Sequence, residues 1–105
     1  MINSKQKGKR GELEFVKYLK DKGYDARRGQ QFKGTPDSPD IICDSLPYHF
    51  EVKRTERLNV YDAMAQATRD AGDYMPVVVH KKNNSKWIAI MNIDDLFDLI
   101  ELIDG

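Results

Sequence analysis

Apolar positions along the chain follow two periods. In the first segment Leu13, Phe15, Val16 and Leu19 recur at three- and four-residue spacing, the period of one helix face. Ser4 is a candidate N-cap and Gly23 a stop signal, so a helix is predicted over residues 4–22. A short strand is predicted over 24–28. Residues 29–39 (GQQFKGTPDSP) are polar and rich in turn formers, which predicts a loop long enough for a functional role. Two strands follow, 40–44 (DIICD) and 48–54 (YHFEVKR), joined at Ser45-Leu46-Pro47. A second helix over 59–72 places Tyr61, Met64, Ala65, Thr68 and Ala71 on one stripe. Strand 75–80 (MPVVVH), the polar turn KKNNSK and strand 87–91 (WIAIM) come next. The tail, 94–103, is an amphipathic helix, with Ile93, Leu96, Phe97, Ile100 and Ile103 at helical spacing. The order αβββαββα predicts an α/β fold of one mixed five-stranded sheet with helices packed on it.

Composition bounds this picture without changing it. A chain of 105 residues makes one domain, 1–105, with a single core. No apolar run approaches the ~20 residues that cross a bilayer, so no membrane association is expected. The basic start MINSKQKGKRGE is followed by no signal-peptide apolar core. One cysteine, Cys43, excludes an internal disulfide and a cysteine-based zinc site. A cytoplasmic protein is expected, and the compact length suits a viral or mobile-element gene.

Charge changes the picture more. The net charge is zero, yet residues 1–34 carry ten Lys/Arg against four Asp/Glu, and residues 35–105 carry seven against thirteen. That asymmetry suits a basic surface facing a polyanion. A solvated lysine-rich helix would give the same counts, so charge alone does not decide.

The candidate chemistry lies on the two central strands. Side chains alternate along 48–54, so His49, Glu51 and Lys53 share one face while Phe50 and Val52 point to the core. With a two-residue hairpin loop at Ser45-Leu46, Asp40 sits directly across from Glu51, with Cβ atoms about 5 Å apart; a longer loop shifts that register. Facing carboxylates repel unless a positive charge lies between them, and an all-oxygen site favours Mg2+, with Mn2+ as substitute. Lys53 is placed to orient an attacking water or to stabilise phosphate charge. The plain alternative is a surface hairpin with a Glu–Lys pair. On the first helix, Glu12 falls in the middle of the apolar face, within 60° of Phe15, Val16 and Leu19 at about 100° per residue. A buried carboxylate there needs a cation or a hydrogen-bonding partner; a salt bridge to a nearby Lys or Arg is the alternative to a place in the site.

Ser38-Pro39-Asp40 followed by Glu51-Val52-Lys53 resembles the PD-(D/E)xK nuclease signature. Together with Lys9-Arg10-Gly11-Glu12, Arg27-Arg28 and the loop ending in SPDII, the chain is similar over nearly its full length to the Holliday-junction-resolving endonucleases of archaea and some viruses. The resemblance implies a restriction-endonuclease-like αβββαβ core. It also implies Mg2+ held by Asp40, Glu51, a backbone carbonyl near Val52 and sometimes Glu12, with Lys53 serving the water. The implied reaction is phosphodiester hydrolysis leaving a 5′-phosphate and a 3′-hydroxyl. Symmetric cutting of a four-way junction requires a homodimer with two active sites, for which the acidic C-terminal helix is a candidate face; closing the monomer core is its alternative role.

Asp37, in TPD, competes with Asp40, which is preferred because it begins a strand and pairs in register with Glu51. Gln66 and Ser38 are candidate supporting residues, although Gln66 falls off the predicted apolar stripe. His49 shares the active face, and His80 reads as structural. Candidate DNA contacts are Lys5, Lys7, Lys9, Arg10, Arg27, Arg28 and Lys33, of the kind that bind phosphate without regard to sequence. The leading expectation is a branched-DNA resolving endonuclease. Its rivals are a nuclease of the same superfamily acting on flaps, nicks or duplex, a non-catalytic nucleic-acid-binding module, and, last, a protein-interaction adaptor.

Overall fold

The computed structural model describes residues 4–29 and 40–104, with side chains from residue 8 onward. Its elements are α1 (Ser4–Asp21), β1 (Arg27–Arg28), β2 (Ile41–Ile42), β3 (Tyr48–Arg54), α2 (Val60–Ala71), β4 (Met75–Lys81), β5 (Ile88–Ile90) and α3 (Ile93–Asp104). The predicted order of elements is the observed one, but the strands do not form a single five-stranded sheet. β1 and β2 make an antiparallel pair, Arg27 opposite Ile42, and β3, β4 and β5 make a separate sheet in that order. The reason lies in the β2–β3 connection. Cys43 to Leu46 closes a four-residue turn, Leu46 N–H donating to Cys43 O at 3.1 Å, and Pro47 brings no N–H to a ladder. The two-residue hairpin and its register, with Asp40 directly opposite Glu51, therefore do not form. Instead the Asp40 carboxylate accepts from Val52 N–H at 3.3 Å, taking the place of a strand carbonyl.

β3 and β4 run parallel, Glu51 beside Val78 and Lys53 beside His80, so their connection must cross over, and α2 provides it. β5 returns antiparallel to β4 through a turn in which Asn84 adopts φ 62°, a left-handed conformation that asparagine tolerates.

Both faces of the three-stranded sheet are covered. On one, Phe15, Val16 and Leu19 of α1 pack with Phe50, Val77 and Val79, and Trp87 meets the Phe15 ring edge-on at 5.1 Å. On the other, Ala63 and Ala67 of α2 pack on Val78. The stripe expected on α2 is corrected in part: Ala71 is buried and Met64 packs on the cluster as expected, but Ala63 and Ala67 carry the buried face, Tyr61 is 87% exposed, and Ala65 and Thr68 face solvent. Alanines four residues apart let the helix lie close to the sheet, and a large aromatic would hold it away. Asn59 Oδ1 accepts from Asp62 N–H at 3.2 Å and caps the helix, satisfying one of its free N–H groups.

α1 approaches β3 just as closely. A Cβ placed on Gly11 would lie 2.6 Å from Arg54 Cβ, closer than two carbons can pack. We expect Gly11→Ala to destabilise the protein by about 1–3 kcal/mol, read as a lower urea midpoint with unchanged slope; an unchanged midpoint would mean that α1 does not sit this close. Leu13, expected in the core, is half exposed because the buried face of α1 runs through Gly11, Glu12, Phe15, Val16 and Leu19.

α3 buries none of its residues, so it does not close the monomer core. Among the described residues no helix is long and apolar enough to cross a membrane.

Candidate active site

Three polar side chains on alternate positions of β3 form the centre of the site. Phe50 points to the α1 side, so His49, Glu51 and Lys53 point to the α2 side. Glu51 is only 3% exposed and His49 5%, and the ring Nε2 lies 3.4 Å from Glu51 Oε1. Lys53 Nζ donates to Gln66 Oε1 at 3.0 Å and lies 3.8 Å from Glu51 Oε2. Gln66 is therefore half-buried against the site, not solvated. It flanks the alanine stripe on the side nearer β3, where a helix-wheel count centred on the wrong stripe had not placed it.

Although Asp40 is not in a ladder with Glu51, the two carboxyl groups share a hydrogen bond. Burial, then the charge of Glu51 and the hydrogen bond to it, then the charge of Glu12 push the Asp40 pKa up to about 7, against the opposing pull of Val52 N–H. Glu51 goes the other way. Burial favours its neutral form, but hydrogen bonds from His49 and Asp40 and the charge of Lys53 outweigh this and hold it below the usual glutamate value. His49 is raised above its ordinary value, chiefly by the hydrogen bond to Glu51; burial opposes this, and the charges of Glu51, Asp40 and Asp70 reinforce it.

Glu12 is buried in the middle of the α1 face, as expected, and its Oε1 accepts from Arg28 Nε at 2.6 Å. The salt bridge weighed as its alternative role is formed, and its charge still reaches Asp40. Arg28, a candidate DNA contact, is thus engaged inside the protein. Lys9, Arg10 and Arg27 are exposed, with Arg27 4.0 Å from Asp44. The side chains of Lys5 and Lys7, and all of Lys33, Asp37 and Ser38, lie outside the described residues. His80 Nε2 lies 2.8 Å from Thr55 O, a structural contact.

Asp70 is the residue the sequence reading missed. His49, Glu51 and Asp70 bring a ring nitrogen and two carboxylate oxygens within 4.8 Å of one another. The available signal was spacing: Asp70 is one turn beyond Gln66, and α2 runs back along β3, so a helix face that meets Lys53 at Gln66 meets His49 a turn later.

The arrangement can hold a divalent cation on carboxylates and present a lysine beside it. A family model described as archaeal Holliday junction resolvase (hjc) matches residues 3–96. Comparison with curated proteins and comparison with solved structures each found no match. The match spans α1 to the start of α3 and takes in Glu12, Asp40, Glu51 and Lys53; the chain belongs to the archaeal Holliday junction resolvase family.

Proposed function

We propose that the protein is a divalent-metal-dependent endonuclease that cuts four-way DNA junctions by phosphodiester hydrolysis at Asp40, Glu51 and Lys53. The observation that carries this is the Asp40–Glu51 carboxyl pair, with Asp40 pushed up to about 7 by burial and then by its neighbour Glu51, and Lys53 held beside it by Gln66. A strained carboxyl pair is an all-oxygen cation site in waiting, and Mg2+ is the ion such donors select, with Mn2+ able to replace it. Asp40, Glu51 and the main-chain carbonyl at Val52 would hold the ion, with Glu12 close by. When bound, it supplies a nucleophilic water and stabilises charge on the phosphate. Glu51, ionised within the buried site, keeps a ligand ready. Lys53 Nζ, anchored at Gln66, orients the water or meets the phosphate oxygen. The exposed Lys9, Arg10 and Arg27 meet the DNA backbone through phosphate contacts, which suit a structure-reading enzyme.

Cleavage of four-way junctions, flaps, nicked and linear duplex, each with Mg2+ or Mn2+ and with chelator, tests the reading. Preferred cutting of junctions, abolished by chelator, is expected. Preference for flaps, nicks or linear duplex would overturn the junction assignment, and binding without any cutting would make the protein a DNA-binding module.

Paired cutting needs two active sites, so the proposal includes a homodimer. The support is α3, on which Phe97 is 55% and Ile103 84% exposed. An apolar helix face of this size on a small domain calls for a partner. We expect sedimentation to give twice the 12.1 kDa chain mass. Phe97→Asp is expected to give a monomer that nicks junctions one strand at a time; a variant that stays dimeric would move the interface elsewhere.

A further inference from the structure

We propose that His49, Glu51 and Asp70 form a second cation site, distinct from the Asp40–Glu51 site, with the Glu51 carboxylate shared between the two. Glu51 presents its two oxygens to different surroundings. Oε2 faces Lys53, while Oε1 faces the imidazole of His49. Asp70 comes to the same pair from α2, so that one ligand atom from each of the three residues lies within 4.8 Å of the others. The His49–Glu51 separation of 3.4 Å is long for a hydrogen bond to a charged acceptor, which runs at about 2.7–2.9 Å. The same span suits two ligand atoms on one ion: at about 2.0–2.2 Å from a metal, nitrogen and oxygen donors at tetrahedral or octahedral angles stand about 3.0–3.5 Å apart.

The donors also specify the ion. An imidazole among carboxylates suits borderline metals such as Mn2+ or Zn2+ over Mg2+, whereas an all-oxygen set suits Mg2+. His49 is 5% exposed and Glu51 3%, so two of the three ligands are buried on the strand, and Asp70, half-buried on the helix, is the most accessible of the set. The β3–α2 packing that brings Gln66 to Lys53 brings Asp70 to His49. The inference adds a cation to the proposed nuclease centre but does not depend on cleavage, because the ligands stand whether or not DNA is cut.

Mn2+ binding to the full chain, counted by calorimetry and electron paramagnetic resonance, tests it. Two ions per wild-type chain are expected, one in Asp70→Asn and one in Asp40→Asn. Pulsed resonance should detect imidazole nitrogen coupled to Mn2+ in the wild type and in Asp40→Asn, and lose it in His49→Gln and Asp70→Asn. Circular dichroism confirms that each variant is folded, and Asp70 is the safer substitution because it is only half-buried. One ion in both the wild type and Asp70→Asn, without nitrogen coupling, overturns the second site and leaves the Asp40 site standing. One ion that survives Asp40→Asn with nitrogen coupling, and is lost in Asp70→Asn, supports the second site and removes the Asp40 site instead. Two ions in Asp70→Asn also overturn the inference.

Discussion

Glu51→Gln is expected to lower junction cleavage by on the order of 10³-fold or more, the scale seen when a charge-stabilising group is removed from a preorganised site. The substitution keeps the shape of a side chain that is 3% exposed, and a carbonyl oxygen can still face His49. What it removes is the ionised carboxylate, which hydrogen bonds from His49 and Asp40 and the charge of Lys53 hold below the usual glutamate value. Metal affinity should fall with activity, and extra Mg2+ should rescue little. Lys53→Ala separates the two effects: it should cut cleavage by about 10²–10³-fold while metal binding stays near the wild-type level. Gln66→Ala acts on Lys53 only by anchoring it at 3.0 Å and should lose about 10–100-fold, the range for a supporting contact. Near wild-type cleavage by Glu51→Gln would remove the site assignment altogether.

The parts of this site legible in the sequence are those that depend on local period. Alternation along β3 put His49, Glu51 and Lys53 on one face, and the helix period put Glu12 on the buried face of α1; both placements hold. The αβββαββα order also holds, because hydrophobic spacing and turn residues determine elements one at a time. What failed was pairing between elements. A single sheet is expected because strands adjacent in sequence usually pair, whereas the Cys43–Leu46 turn and Pro47 keep β2 out of a ladder with β3, and it pairs with β1 instead. The expected α2 stripe is rotated from the buried face centred on Ala63 and Ala67, which leaves Gln66 off the stripe and Asp70 unnamed, since their contacts depend on which helix face meets the sheet. Asp40 does come beside Glu51, but not through the expected register: its side chain, not a ladder, brings it there.

Asp40→Asn is expected to abolish metal-dependent cleavage and, in the absence of metal, to make the protein more stable. In the folded state the Asp40 pKa is raised from 3.8 to about 7, so the native protein binds more protons than the unfolded chain between those values. The sign follows directly: the contribution of Asp40 is favourable below pH ~4, is lost as pH rises towards 7, and leaves the metal-free protein strained above it. The full span corresponds to an upper bound of about 4 kcal/mol. Glu51 shares the interaction and moves in the opposite direction, so about 2 kcal/mol is the expected gain for the asparagine variant at pH 8, vanishing towards pH 4. Urea titration without metal at both pH values measures it. Mg2+ should then stabilise the wild type, through mass action on the folded state, and leave the variant unmoved. Binding to the wild type at pH 6 should release a proton, seen as a calorimetric enthalpy that depends on the buffer. A variant less stable than the wild type at pH 8 would mean that the carboxyl pair is relieved within the protein itself, and that no cation is needed to hold Asp40 and Glu51 together.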